Sequence, residues 1–137
     1  MADKPVLGVD FDGVLHAYTS GYQGLDIIPD GPVPGAMAWL REAVEEFHVH
    51  VYSARSRAQG GRDAMKKALL DWLIAEHGEV VGRIVHALIH FPQYKPSALV
   101  FLDDRAVTFT GTFPPPSELR AFKTWQQPTD SETNTPK

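Results

Sequence analysis

Apolar and polar positions change rhythm several times along this chain of 137 residues. Residues 5–9, "PVLGV", are a short apolar run closing on Asp10, the pattern of a short buried strand. From Pro34 the spacing turns helical, with Met37, Leu40, Val44 and Phe47 on one side and Glu42, Glu45 and Glu46 on the other. Pro34 itself suits a first helical turn. "HVHVYS" then alternates and predicts a second strand over about 48–53, with His48 and His50 on one side of it. Gly60 and Gly61 precede a second predicted helix marked by Met65, Leu69, Trp72, Leu73 and Glu76, with Gly78 as its stop. "RIVHALI" predicts a third strand and "ALVFLDD" a fourth, while "AVTFTGTF", residues 106–113, offers a fifth. A short helix in "SELRAF" follows three prolines.

Strand and helix alternate through most of the chain, which predicts an α/β fold with a mainly parallel central sheet flanked by helices. In such sheets ligands bind beyond the carboxyl ends of the strands. Three polar clusters fall there: Asp10 with Asp12, Ser53 with Arg55, and Asp103 with Asp104. The predicted fold brings all three to one rim. Residues 13–32 hold glycines, prolines and aspartates among scattered apolar positions, a structured excursion too long for an ordinary connection.

Composition narrows the classes. The net charge of −4 comes without a basic stripe, which argues against long nucleic-acid tracts but leaves a nucleotide or a phosphorylated polynucleotide end open. There is no cysteine, hence neither a disulfide framework nor a thiolate metal site. The first apolar run is too short for a signal peptide and no segment approaches membrane-spanning length, so a cytoplasmic setting is the expectation. Residues 126–137, "QQPTDSETNTPK", lack an apolar anchor and are expected to be a disordered tail.

Carboxylates gathered at one rim repel each other unless a cation lies between them, and an all-oxygen set suits a hard ion such as Mg2+. A hydroxyl at Ser53 and an ammonium at Lys95 are suited to hold phosphoryl oxygens beside it. One aspartate would then attack phosphorus while a second moves the proton.

Here the chain resembles the haloacid dehalogenase (HAD) superfamily of phosphohydrolases. "DFDGVL" is similar to the family's first motif, Ser53 in "VHVYS" to its second, Lys95 in "KPSALVFLDDR" to its third, and the acidic pair of "LVFLDD" to its fourth. The resemblance covers roughly residues 5–125 in the family's order. It implies a single Rossmann-like domain over 1–125, with a small flap insert at about 14–32 and no cap domain. It implies Asp10 as nucleophile, Asp12 as general acid and base with its carbonyl on the metal, and Lys95 paired with nucleophile and phosphate. Asp10, Asp12, Asp103 and Asp104 would hold Mg2+; Ser53, Ala54, Gly13 and Arg55 would face the substrate phosphate. Gly13 would also permit the tight turn after Asp12.

The family's sheet order separates the third and fourth strands by the first and second. His90 to Ala98 would make that crossing, reaching roughly 30 Å when extended. The path needs about 14 Å sideways and about 17 Å down, which is feasible without a helix.

Several residues carry two readings. Ser53 serves equally as a helix cap. Asp10 and Asp12 can close a turn, and Asp103 and Asp104 can pair with Arg105 or cap a helix. Arg55 and Arg57 are solvated or ion-paired side chains, or one of them grips substrate phosphate. Tyr18, Tyr22 and Gln23 either select substrate from the flap or pack the flap on the body. Trp39, Trp72 and Trp125 read as core or packing residues, and the histidines show no metal-ligand spacing on a common face. A Mg2+-dependent phosphomonoester hydrolase working through an aspartyl-phosphate is the expectation, its substrate a phosphorylated small molecule or nucleotide. The alternative is a non-hydrolytic binder of a phosphorylated ligand. A signalling receiver domain fits less well, because Asp63 and Asp71 fall in a predicted helix rather than at a strand end.

Overall fold

Val6–Val9 (β1) is the middle strand of a parallel sheet, paired with His48–Val51 (β2) on one side and Val100–Leu102 (β3) on the other. The computed structural model describes residues 3–127, which fall into two compact units divided between Leu102 and Asp103. In the first unit the elements follow as β1, Ala36–Glu46 (α1), β2, Gln59–His77 (α2), Glu79–Ala87 (α3) and β3. This is an α/β arrangement: a small parallel sheet flanked by helices, compatible with a Rossmann-like fold.

Register explains which side is buried. Leu7 and Val9 stand opposite Val49 and Val51, and all four join Met37, Leu40 and Val44 of α1 and Met65, Leu69 and Leu73 of α2 in one core. Gly8, His50 and Phe101 are register partners and therefore share the other face. A methyl group on Gly8 would collide with the Phe101 ring, so only glycine lets that ring lie across β1.

"RIVHALI" is not a strand. Residues Glu79–Ala87 form α3, which packs on α2 through Gly82, where an added Cβ would come within 2.7 Å of Ile74 Cα. Short apolar runs satisfy both periods, and here the close approach at Gly82 and the helix stop at Gly78 decide for a helical hairpin. The place of a strand beyond β2 is taken by His90 alone, whose N–H donates to Val49 O and whose carbonyl accepts from Val51 N–H, each at 2.9 Å. The chain then crosses from His90, outside β2, to β3 on the far side of β1, with no regular element over residues 91–99. The crossing judged feasible from chain length is the one observed.

Residues 13–32 contain no helix or strand, only isolated bridges pairing Asp12 with His16 and His16 with Pro32. The base of this flap is tied by Ala17 N–H to Gly31 O at 2.9 Å and Val33 N–H to Leu15 O at 2.8 Å. α2 starts at Gln59, earlier than the glycine pair suggests, and takes Gly60 and Gly61 into its first turn.

In the second unit, Pro116–Arg120 (α4) is the short helix expected after the prolines. Residues 106–113 form no strand; the chain turns at Gly111, φ 100°, and brings the Phe109 and Phe113 rings to 4.9 Å. Trp125 is 63 % exposed, which takes it out of the core, whereas Trp39 and Trp72 pack on the core. The tail expected at 126–137 lies outside the described residues from 128 onward. Among the described residues no helix is long and apolar enough to cross a membrane.

Candidate functional site

The site is built where β1 ends. Asp10 N–H donates to Leu102 O at 2.9 Å, which keeps the ends of β1 and β3 level. Asp103 and Asp104 follow Leu102 directly in the chain. Beyond Asp10 the backbone makes one tight turn: Val14, Leu15 and His16 all donate to Phe11 O, at 3.2, 2.9 and 2.9 Å. Gly13 sits in that turn with φ 85°, a backbone region costly for other residues, and it is buried. Asp10 Oδ1 accepts the Phe11 N–H at 2.8 Å.

Asp12 is held from two sides. Its Oδ1 lies 2.8 Å from His16 Nδ1, and its Oδ2 accepts from Arg55 Nε at 2.9 Å. The histidine tautomer follows from its other nitrogen: Asp30 N–H donates to Nε2 at 3.2 Å, so the ring proton sits on Nδ1 and points at Asp12. His16 is fully buried in a cluster with Phe11 and Trp72, its ring centroid 5.5 and 6.1 Å from theirs, which are themselves 6.0 Å apart. Burial pushes the Asp12 carboxyl up. The hydrogen bonds from His16 and Arg55, with the charge of Arg55, outweigh it and hold the group below the usual aspartate value.

Arg55 belongs to the turn Ala54–Arg57 that follows β2, and it is 1 % exposed. Its Nη1 donates to three flap carbonyls, Gly24 at 2.8 Å, Leu25 at 2.7 Å and Ile27 at 3.1 Å. Of the readings open for Arg55, the ion-paired one describes this geometry and the solvated one does not; Arg57 is exposed.

Ser53 caps the same turn. Its Oγ accepts from Arg55 N–H at 3.0 Å and donates to Met65 Sδ at 3.4 Å, while its own N–H donates to Ser56 Oγ at 2.9 Å. The capping reading is therefore realised. The hydroxyl proton, resting on a weak sulfur acceptor, is cheaply redirected. Ala54 is exposed and opens the turn, where the N–H has no acceptor within the helix.

Lys95 is exposed, and its Nζ stands 4.8 Å from the centre of the Phe101 ring, on the face shared with Gly8 and His50. In the flap, Tyr18 meets His16 edge-on at 5.8 Å with φ 59°, and Tyr22 lies beneath the Arg55 guanidinium at 5.7 Å. Both make the packing contacts that were one of their two readings; Tyr22 and Gln23 are exposed. Asp103 Oδ1 accepts from Arg105 N–H at 2.8 Å, a brace through the backbone.

The structure thus draws Asp12, Ser53, Arg55 and the flap into one bonded group. His16 was not singled out from sequence. Its signal was its place four residues after Asp12, the spacing that puts two side chains on one side of a helical turn. Comparison with protein-family models, with curated proteins and with solved structures gave no match.

Proposed function

We propose that this chain is a Mg2+-dependent phosphomonoester hydrolase of the HAD type, with its site at the carboxyl rim of the β2–β1–β3 sheet. One observation carries the reading: β1 lies parallel between β2 and β3, so the segments opening with Asp10, Ser53 and Asp103 all leave the sheet in one direction. The short turn that follows Asp10 supports it, as does the flap over Asp12.

In this reading an Asp10 oxygen attacks phosphorus, the bond from phosphorus to the leaving oxygen breaks, and Asp12 supplies the proton that oxygen needs. Water then attacks the aspartyl-phosphate, Asp12 takes its proton, and inorganic phosphate leaves with Asp10 restored. The ionised state favoured by His16 and Arg55 is the one that takes the proton of water in the second step; the protonated Asp12 so formed is the acid of the next turnover's first step. Gly13, Ser53 and Ala54 face the phosphoryl oxygens, with Lys95 as a further cation once it leaves Phe101; Arg55, buried and bonded to Asp12 and the flap, is not among the phosphate contacts. Asp10, the Asp12 carbonyl, Asp103 and Asp104 would hold Mg2+, which neutralises phosphate charge. The all-oxygen donor set fits that ion, and Asp104 keeps one solvent-shielded carboxylate oxygen without a hydrogen-bond partner among the described residues. The flap is too small for a cap domain, so the substrate is a nucleotide, a phosphorylated polynucleotide end or a small phosphoester, in a cytoplasmic setting.

A second reading draws on the engagement of both Asp12 oxygens: a protein that binds a phosphorylated ligand without hydrolysing it. A panel of phosphoesters with and without Mg2+ separates the two. Mg2+-dependent phosphate release supports the enzyme. Thermal stabilisation by a nucleotide without release supports the binder.

A further inference from the structure

A single guanidinium joins the proton-transfer group to the flap. Arg55 reaches Asp12 through Nε and the Gly24, Leu25 and Ile27 carbonyls through Nη1. The three carbonyls belong to one small turn, closed by Ile27 N–H on Gly24 O at 3.3 Å. Tyr22, from the same flap, adds its ring under the guanidinium. The group is planar and rigid, so a shift of the flap carbonyls tilts the plane and draws Nε off Asp12.

The backbone leaves Arg55 little freedom to compensate. Its N–H is bonded to Ser53 Oγ, and its carbonyl abuts Gly61 so closely that no Cβ fits there. Burying a guanidinium is costly unless its donors find acceptors, and here these are shared between Asp12 and the flap. Nη2 is shielded from solvent with no acceptor among the described residues, so the buried charge is already short of acceptors and leans on those of Asp12 and the flap. Loss of the flap acceptors would leave the buried charge on Asp12 alone, and loss of Asp12 would leave it on the flap alone. The two contacts therefore stabilise each other.

We propose that Arg55 is a positioning residue that couples the flap segment Gly24–Ile27 to the Asp12 carboxylate, so that the placement of the flap sets the orientation of the group that moves protons. The coupling is a property of the fold; its catalytic consequence rests on the phosphatase reading above.

Hydrogen exchange on the full chain tests the coupling without requiring activity. Arg55→Lys and Asp12→Asn are compared with wild type, both chosen to keep the site filled. Each is expected to raise exchange over residues 22–28 by about tenfold or more while α2 stays at the wild-type rate. The effect of Asp12→Asn, read against that of His16→Phe, is the decisive one, since Asp12 reaches that segment's carbonyls through Arg55 and the flap's Asp30 N–H through His16. Unchanged exchange over 22–28 in Asp12→Asn would overturn the coupling, whatever Arg55→Lys does. On a small phosphoester, Arg55→Lys is expected to lower kcat by about tenfold or more with KM within about threefold. A raised KM at unchanged kcat would instead make Arg55 a substrate-binding group and overturn the positioning role. If wild type releases no phosphate from any phosphoester, the phosphatase reading fails, and exchange alone decides the coupling.

Discussion

Arg55 Nε lies 2.9 Å from Asp12 Oδ2, and the guanidinium that makes this bond is 1 % exposed although it follows a strand end by only a few residues. Removing one partner of a buried pair leaves the other uncompensated, a loss of about 3–5 kcal/mol. Arg55→Ala is therefore expected to lower the unfolding free energy by about that amount in urea titration. Arg55→Met, which keeps the stem packing, should recover only a minor part. A loss below about 1 kcal/mol would place the pair among exposed ion pairs of little worth.

Acid should weaken the fold in two stages. Burial, then the neighbouring His90 and His48, hold His50 below the ordinary histidine value. The unfolded chain thus binds a proton that the fold resists as pH falls below about 6.5, and stability drops there. Asp12 is likewise held low, against its burial, by His16 and Arg55. Its contribution is complete above about pH 4 and is lost as pH falls through its folded value. Thermal unfolding followed from pH 8 to pH 3 should show both. His50→Gln should remove the upper decline and leave the lower one.

His16 gives a sharper test of hydrogen bonding against packing. His16→Phe keeps a ring in the cluster with Phe11 and Trp72 but leaves Asp12 Oδ1 and Asp30 N–H without their partner. The expected cost is about 1–3 kcal/mol in chemical denaturation. A neutral or stabilising result would show that stacking alone accounts for His16.

The strands β1 and β2, helix α1 and the stop at Gly78 were legible because period and punctuation agreed there. The strand-end clusters were legible for the same reason: a parallel sheet sends successive strand ends the same way. "RIVHALI" failed because a seven-residue stretch with five apolar positions satisfies both periods, and what decides is Gly82 against Ile74, a contact absent from local pattern. The burial of Arg55 was hidden for a related reason. Its acceptors are flap carbonyls about thirty residues away in sequence, and carbonyls carry no side-chain signature. The flap was recognisable as an excursion, but its grip on Asp12 was not.

Two adjacent glycines should answer to alanine in opposite directions. Gly60 faces open space, and Gly60→Ala is expected to stabilise by about 0.4–1 kcal/mol through the unfolded chain. Gly61 lies against the Arg55 carbonyl, backbone that has little room to move, and Gly61→Ala should destabilise by about 1–3 kcal/mol. Equal effects in paired thermal melts would contradict the contact between α2 and the Arg55 turn.

The central claim is that Asp10 attacks phosphorus, and the most direct measurement is phosphate release by wild type and Asp10→Asn across a phosphoester panel with Mg2+. The account predicts Mg2+-dependent release by wild type and a loss of at least about a thousandfold in the folded variant. Turnover retained in Asp10→Asn, or no release from any phosphoester by wild type, would contradict it.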